Sequence, residues 1–348
     1  MVSSCRWEDE FPKLDSGPGT VIMVIGGPDT GKTTFVNFLV SKFVETGRKV
    51  AYIDADIGQS TLGPPATIGL AVYETPEQLN QPQPSINLQF VGSINPVGFL
   101  VPILLGVRCL LDRALALGAQ AIVMDTTGLV RGAAAQELKQ RKIDITQPNH
   151  VVALQKSAEL EPILAPYRFS QRILFHRLEA PLEIKQKSVE FRRNYREGKF
   201  RQYFANASTL EIPLRDVGLC GTWIQKGRRL NGDETRYLAK ILAVDVLYGE
   251  YEFDCIYAVT NGTHSTRELY RVRNHFGSSN LKLVTAESLD NKLLSLNADD
   301  KLLALGLLQR IDFQDMKMRV LTPLKNLERI QRLNLGALRL KPTGKELA

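Results

Sequence analysis

Between Thr20 and about Leu178, short apolar runs alternate with stretches whose apolar positions recur every three or four residues. Residues 21–25 form a continuous apolar run of the kind that makes a strand buried on both faces. Phe35, Val36, Phe38, Leu39 and Phe43 follow at helical spacing over 33–45, and Gly47 ends the pattern. Residues 50–53, 121–124, 151–154 and 173–175 read as further strands, and 99–117 as a long buried helix. Strands alternating with helices predict an α/β fold whose parallel sheet is covered on both faces. Pro76, Pro82 and Pro84, with Asn80-Gln81, mark a surface loop. After about Asn206 the runs become short and alternating, punctuated by Asn231-Gly232-Asp233, Asn261-Gly262 and Leu321-Thr322-Pro323. That texture predicts a β-rich second domain. The expected divisions are a short N-terminal segment over 1–19, an α/β domain over 20–205 and a β-rich domain over 206–348.

Composition narrows the class. Hydrophobic residues at 44% and charged residues at 23% exclude a disordered or fibrous chain. The four cysteines, Cys5, Cys109, Cys220 and Cys255, lie far apart with no Cys-x-x-Cys pair, which speaks against a zinc ribbon or a disulfide framework. A reducing cytoplasm is expected. The longest apolar run, 98–107, stops at Arg108, short of the roughly 20 residues of a membrane span. Nothing near Met1 has a basic start followed by an apolar stretch, so no secretion signal is expected. The formal charge of +7 suits an acidic partner such as nucleic acid.

The strongest chemical signal is Gly26-Gly27-Pro28-Asp29-Thr30-Gly31-Lys32-Thr33, which fits G-x-x-x-x-G-K-[ST] at every fixed position. It follows a buried strand and opens a helix through Thr34. Glycines let the backbone wrap phosphates, and successive N–H groups plus the helix N-terminus supply positive potential. Lys32 is expected to reach the β- and γ-phosphates, and Thr33 to ligate Mg²⁺. No Asn-Lys-x-Asp box follows, which favours ATP over GTP.

The second strand ends in Asp54-Ala55-Asp56-Ile57-Gly58-Gln59-Ser60. Carboxylates at the C-terminal end of a parallel strand face the crevice where ligands bind. One of Asp54 and Asp56 can orient the waters of a metal, and the other can take a proton from an attacking hydroxyl. Either one can instead cap the next turn.

Asp-x-Asp-x-Gly-Gln after a G-x-x-D-x-G-K-[ST] loop resembles the polynucleotide 5′-hydroxyl kinases, ATP-dependent RNA and DNA kinases related to eukaryotic pre-mRNA cleavage and rRNA-processing factors. Phe90-Val91-Gly92-Ser93-Ile94-Asn95-Pro96 is similar to the family's F-x-G-x-x-x-P stretch. Asp125-Thr126-Thr127-Gly128-Leu129 stands where the family has its T-x-G-W clamp, with Thr126 and Gly128 matching and Leu129 replacing the Trp. Residues 187–204 resemble its arginine-rich lid helix. The resemblance is specific over about 20–204 and implies the compact form without an N-terminal β-domain. It also implies Asp56 as general base, Thr126 and Gly128 beside the nucleotide, and a single-stranded or end-accessible RNA or DNA bearing a 5′-hydroxyl as substrate.

Asp125 ends the strand over 121–124 and rivals Asp54 and Asp56 for the metal. Thr126 can offer its hydroxyl to Lys32 or a phosphate, whereas Thr127 can equally cap a helix starting near Arg131. Residues 185–201 hold seven basic side chains (Lys185, Lys187, Arg192, Arg193, Arg196, Lys199 and Arg201) against Glu190 and Glu197. Arg192, Arg196 and Lys199 share a helical face. Guanidinium groups donate paired hydrogen bonds suited to a phosphoryl transition state, so Arg192, Arg193, Arg196 and Arg201 are the lid candidates. The four histidines, His150, His176, His264 and His275, are scattered singly and read as structural, and Trp7 as an anchor of the N-terminal segment. Nine basic residues against four acidic ones over 309–348 either help hold a polynucleotide or form a charged β surface.

The expected activity is ATP- and Mg²⁺-dependent phosphorylation of a polynucleotide 5′-hydroxyl. Two rivals stand beside it. A nucleotide-dependent scaffold in an RNA-processing complex needs ATP binding but no base, and a small-molecule kinase needs no extended basic track.

Overall fold

The computed structural model describes residues 2–80, 87–181, 184, 186–263, 269–299, 301–326 and 330–347. Gln81, Pro82 and Pro84 of the expected loop, Lys185 of the expected lid and His264 lie outside the described residues. The chain divides into two compact units, Met1–Lys199 and Phe200–Ala348.

The N-terminal unit begins with helix α1 (Val2–Leu14), followed by β1 (Thr20–Gly26), α2 (Lys32–Glu45), β2 (Val50–Ala55), β3 (Thr67–Tyr73), β4 (Asn87–Phe90) and α3 (Leu100–Ala116). Then come β5 (Ala121–Thr126), α4 (Ala133–Thr146), β6 (His150–Gln155), the short α5 (Glu161–Leu164), β7 (Leu174–Glu179) and α6 (Val189–Phe204). The sheet order is β4-β3-β2-β5-β1-β6-β7. The five strands from β2 to β7 are mutually parallel, whereas β3 runs antiparallel to β2, and β4 to β3. The parallel core follows the expected strands. The β3–β4 extension was not assigned from the sequence, since Gly69 interrupts the apolar run of β3 and β4 is only partly buried.

Strand alternation sorts the apolar residues onto two faces. Ile22 and Val24 of β1 pack with Leu14, Phe35, Leu39 and Phe43 on the α1–α2 side. Met23 and Ile25 pack with Ile103, Val107, Leu138 and Ile143 on the α3–α4 side. Each such fully buried side chain contributes about 1.5–3 kcal/mol. Trp7 sits edge-on to Phe35 with ring centroids 5.1 Å apart, and Phe11 meets Phe43 at 4.9 Å, so α1 is anchored by aromatic packing on α2. Helix α3 is buried on one face only, because Val101 and Leu105 are exposed. None of the helices among the described residues is long and apolar enough to cross a membrane.

The C-terminal unit is β-rich. It contains β8 (Ser208–Pro213), β9 (Gly218–Cys220), β10 (Arg228–Arg229), α7 (Gly232–Leu242), β11 (Val246–Glu252), β12 (Cys255–Thr260), α8 (Leu269–Phe276) and β13 (Asn280–Thr285). Helix α9 (Ala286–Leu289) leads to β14 (Lys292–Ala298), β15 (Lys301–Asp312), β16 (Lys317–Thr322), β17 (Arg332–Leu340) and β18 (Glu346–Leu347). One sheet has the order β18-β17-β14-β15-β16-β8 with β9 beside β17, and a second has the order β10-β11-β12-β13. Asn231-Gly232-Asp233, one of the breaks between the short runs, starts α7. The Asn231 side chain accepts from the Glu234 N–H while Glu234 accepts from the Asn231 N–H, a reciprocal cap.

Candidate active site at the ends of the parallel strands

Strand β1 runs straight into the phosphate-binding loop, and the loop runs into α2. Gly31 occupies the helix N-cap with φ of +87°, a conformation that glycine adopts without the Cβ penalty. The loop closes on itself through the Gly27 carbonyl, which accepts from the Lys32 ammonium at 2.7 Å and from the Thr30 hydroxyl at 3.0 Å. Lys32 is only 7% exposed. Burial pushes its ammonium below the usual range, against the pull of Asp125, Asp56 and Asp29. Pro28 and Thr34 are exposed.

The acidic groups arrive on neighbouring strands. Asp54 of β2 and Asp125 of β5 are register partners, so two buried carboxylates stand side by side at the sheet's C-terminal end. The Thr33 hydroxyl donates to Asp125 Oδ2 at 2.5 Å, and the Thr126 N–H donates to Oδ1 at 2.7 Å. Burial and then the Asp54 charge push the Asp125 carboxyl up to about 7, opposed by Lys32 and Thr33. Burial and then Asp56 raise Asp54. Its Oδ2 accepts from Thr61 N at 2.6 Å, Thr61 Oγ1 at 3.0 Å, Ser60 Oγ at 3.1 Å and Leu62 N at 3.2 Å. Asp54 therefore shapes the loop over 56–62. Asp56, half-buried, accepts at Oδ1 from Gly58 N and Gln59 N.

The start of α6 docks on these loops. Arg192 donates to Asp29 Oδ2 at 2.5 Å, and Asp29 also accepts from the Lys187 N–H at 3.1 Å. Gln59 Nε2 donates to the Arg192 carbonyl at 3.3 Å, Tyr195 to the Ser60 carbonyl at 3.0 Å and Lys199 to the Thr61 carbonyl at 3.1 Å. Arg192, Tyr195 and Lys199 thus mark the docked face. Arg193 is exposed and donates to Glu197 at 3.1 Å, and Arg196 is half-buried. Arg201 donates to the Thr343 carbonyl at 3.3 Å within the C-terminal unit. The guanidinium groups expected in the lid therefore have different surroundings, and Arg192 bonds to the phosphate loop through Asp29.

The turn after β5 is used differently from either expectation. The buried Thr126 hydroxyl donates to the Val24 carbonyl at 2.8 Å rather than facing Lys32. Thr127 caps no helix, because α4 starts behind Gly132. Gly128 does approach the loop, since a Cβ there would lie 3.0 Å from the Pro28 nitrogen. Two residues were not singled out from the sequence. Lys139 and Lys142 of α4 are fully buried, and Lys139 donates to Thr126 and Thr127. Burial and then the Lys142 charge hold Lys139 well below the usual lysine range, and burial pushes Lys142 down to about 8. The signal was available, since both share the apolar spacing of Leu138 and Ile143.

The cradle suits a phosphate chain and a hard cation. Mg²⁺ keeps several waters and takes one or two carboxylates plus phosphate oxygens. Thr33 beside Asp125 fits that need, and among the described residues no three acidic, His or Cys side chains converge as a fuller metal cage.

Residues 26–206, over half of the chain, match the family model described as mRNA cleavage and polyadenylation factor CLP1 P-loop. The chain belongs to this family. Among relatives of this CLP1 P-loop protein, the polyribonucleotide 5′-hydroxyl-kinase of Methanocaldococcus jannaschii is 33% identical over 98% of this chain and 93% of its own length. The like-named protein of Pyrococcus furiosus is 31% identical over 94% of this chain and 89% of its own. The solved Clp1p–Pcf11p complex covers 97% of this chain and 79% of the matched chain with a TM-score of 0.62 at 15% identity, a likeness of fold. In this CLP1 P-loop protein, Leu129 is partly exposed next to Gly128, where the family resemblance leads one to expect Trp.

Proposed function

We propose that this chain is an ATP-dependent polynucleotide 5′-hydroxyl kinase. One observation carries the reading: Thr33 of the phosphate loop bonds Asp125 at the end of β5, and Asp29 of the same loop bonds Arg192 of α6, so the loop joins a strand-end carboxylate and the arginine-rich helix. The names of its archaeal relatives support the same reaction class.

In this reading the loop backbone over 26–33 and Lys32 hold the phosphates of ATP, with Gly128 beside them. Thr33 and Asp125 would hold Mg²⁺, and Asp54, expected as a ligand, serves the 56–62 loop instead. When bound, the ion supplies neutralisation of charge on the β- and γ-phosphate oxygens. Asp56 keeps Oδ2 clear of hydrogen bonds from the described residues and accepts the proton of the attacking 5′-hydroxyl. As the 5′-oxygen bonds to the γ-phosphorus, the bond to the β–γ bridging oxygen breaks and ADP leaves. Arg192 and Arg196 stabilise charge on the transferring group, while Arg193 and Arg201 stand outside the chemistry. The substrate is the end of a strand, RNA or DNA, held mainly through its backbone by basic side chains.

The test is transfer of labelled γ-phosphate to matched RNA and DNA oligonucleotides with 5′-hydroxyl ends, beside free nucleosides. Oligonucleotide transfer is expected, with binding that weakens in salt by a slope of about −0.7 per phosphate contacted. ATP binding without transfer to either strand supports a scaffold, and transfer to nucleosides alone supports a small-molecule kinase.

A further inference from the structure

Lys139 and Lys142 lie one turn apart on α4, fully buried, and the phosphoryl-transfer scheme above uses neither. Their bonding differs sharply. The Lys139 ammonium donates to Thr126 Oγ1 at 2.8 Å, to the Thr127 carbonyl at 2.5 Å and to Thr127 Oγ1 at 3.4 Å. The Lys142 ammonium has no hydrogen-bond partner among the described residues.

The Lys139 contacts are linked in both directions. The Thr126 hydroxyl in turn donates to the Val24 carbonyl of β1, the strand that feeds the phosphate loop. The Thr126 N–H holds Asp125 Oδ1, and Asp125 Oδ2 holds Thr33. Beyond Thr127 the turn ends at Gly128, against Pro28. A single buried ammonium is therefore bonded to the turn that joins the Asp125 strand end to the phosphate loop. The Lys139 amino group meets a carbonyl and two hydroxyls at once, which fixes its place in the turn.

We propose that Lys139 is a positioning residue for phosphoryl transfer, pinning the Thr126–Thr127 turn so that Asp125 stays on Thr33 and Gly128 stays on Pro28. The proposal rests on the kinase reading for the identity of the reaction, and its geometry rests on the contacts of Lys139. A lysine buried only for stability would lower the melting temperature when removed, because its loss leaves the Thr127 carbonyl without its donor, but it would not lower transfer selectively.

The test compares Lys139→Met with Lys142→Met, which removes a buried charge from the same helix face without removing a hydrogen bond. Three quantities are measured: single-turnover transfer, affinity for a non-hydrolysable ATP analogue and melting temperature. Lys139→Met is expected to lower the transfer rate at least 30-fold with analogue affinity within threefold, alongside a lower melting temperature as the Thr127 carbonyl loses its donor. Lys142→Met is expected to stay within threefold in rate. Equal rate losses in the two variants, or a Lys139→Met rate within threefold of the parent, overturns the proposal. So does a rate loss matched by an equal loss of analogue binding. Should Lys139→Met not fold, Thr126→Val removes one acceptor of the same contact with both lysines in place, and the same rate loss is expected. If the parent chain transfers nothing to oligonucleotides, the kinase reading fails by itself. The comparison is then made on ATP hydrolysis to ADP with the same expected ratios.

Discussion

The Thr33 hydroxyl donates to the Asp125 carboxylate at 2.5 Å, joining the first turn of α2 to the end of β5. A hydroxyl and a carboxylate at this spacing are the protein ligands a hydrated Mg²⁺ needs. Asp125→Asn keeps the shape and removes the charge. It is expected to raise the Mg²⁺ concentration for half-maximal transfer by roughly 10–100-fold, the scale seen when groups that support a metal are changed. A Mg²⁺ titration of single-turnover transfer reads this directly. An unchanged curve would return the ion to Asp54 or Asp56.

Asp54 should behave differently, because its Oδ2 accepts four hydrogen bonds from residues 60–62. Asn offers at that position either an oxygen without charge or an amide with the wrong polarity. Each buried group left unsatisfied costs about 1–3 kcal/mol. Asp54→Asn is therefore expected to lower the stability of the metal-free protein, measured by urea unfolding without nucleotide. A metal-dependence shift at unchanged stability would sink this division of roles.

The sequence made the phosphate loop and the five parallel strands legible because both are local: a fixed spacing, and apolar runs between helical periods. It left the carboxylates open, since choosing among Asp54, Asp56 and Asp125 requires knowing which hydrogen bonds each has already spent. Those bonds come from Thr33 and from the 60–62 loop. The arginine-rich segment was legible as a helix but not face by face, because charge spacing does not reveal that Arg193 turns to Glu197 while Arg192 turns to Asp29. Lys139 is marked by its place on the apolar spacing of Leu138 and Ile143, but its residue type by default reads as solvated.

Acid should destabilise the fold through His150, which is buried between Ser16 and His176. The Ser16 Oγ lies 2.5 Å from Nε2, and His176 Nε2 lies 3.0 Å from Nδ1. Burial and then the His176 charge push the His150 imidazolium down to about 4. The unfolded chain binds this proton near pH 6.5. Between pH 6.5 and about 4 the unfolded state thus holds more protons, and stability falls as pH falls. The slope is at most about 1.4 kcal/mol per pH unit for one proton. Denaturation midpoints measured from pH 7 to 4 should show this loss, and His150→Gln should flatten it. A parent chain with a flat profile over that window contradicts the assignment.

The lid arginines separate by what each side chain already touches. Arg192 reaches the phosphate loop through Asp29 at 2.5 Å, and Arg196 follows one turn later in a half-buried position. Arg193 is exposed and paired with Glu197, and Arg201 bonds the Thr343 carbonyl. Arginines supplied to a phosphoryl transition state are worth roughly 10³–10⁵ in rate, because they meet charge that develops on the equatorial oxygens. Arg192→Ala and Arg196→Ala are therefore expected to lower single-turnover transfer by roughly 10² or more, allowing for one arginine partly covering the loss of the other. Arg193→Ala and Arg201→Ala should stay within about threefold, since Arg193 pairs with Glu197 and Arg201 bonds the Thr343 carbonyl. Lys32→Ala belongs with the first group and should lose roughly 10³–10⁵. Binding of the oligonucleotide, measured in parallel, should change little in Arg192→Ala and Arg196→Ala, because the lost interaction forms with the transferring phosphate. Equal effects across the four arginine variants would mean that the segment acts only as diffuse positive charge. That outcome would end its assignment as a lid.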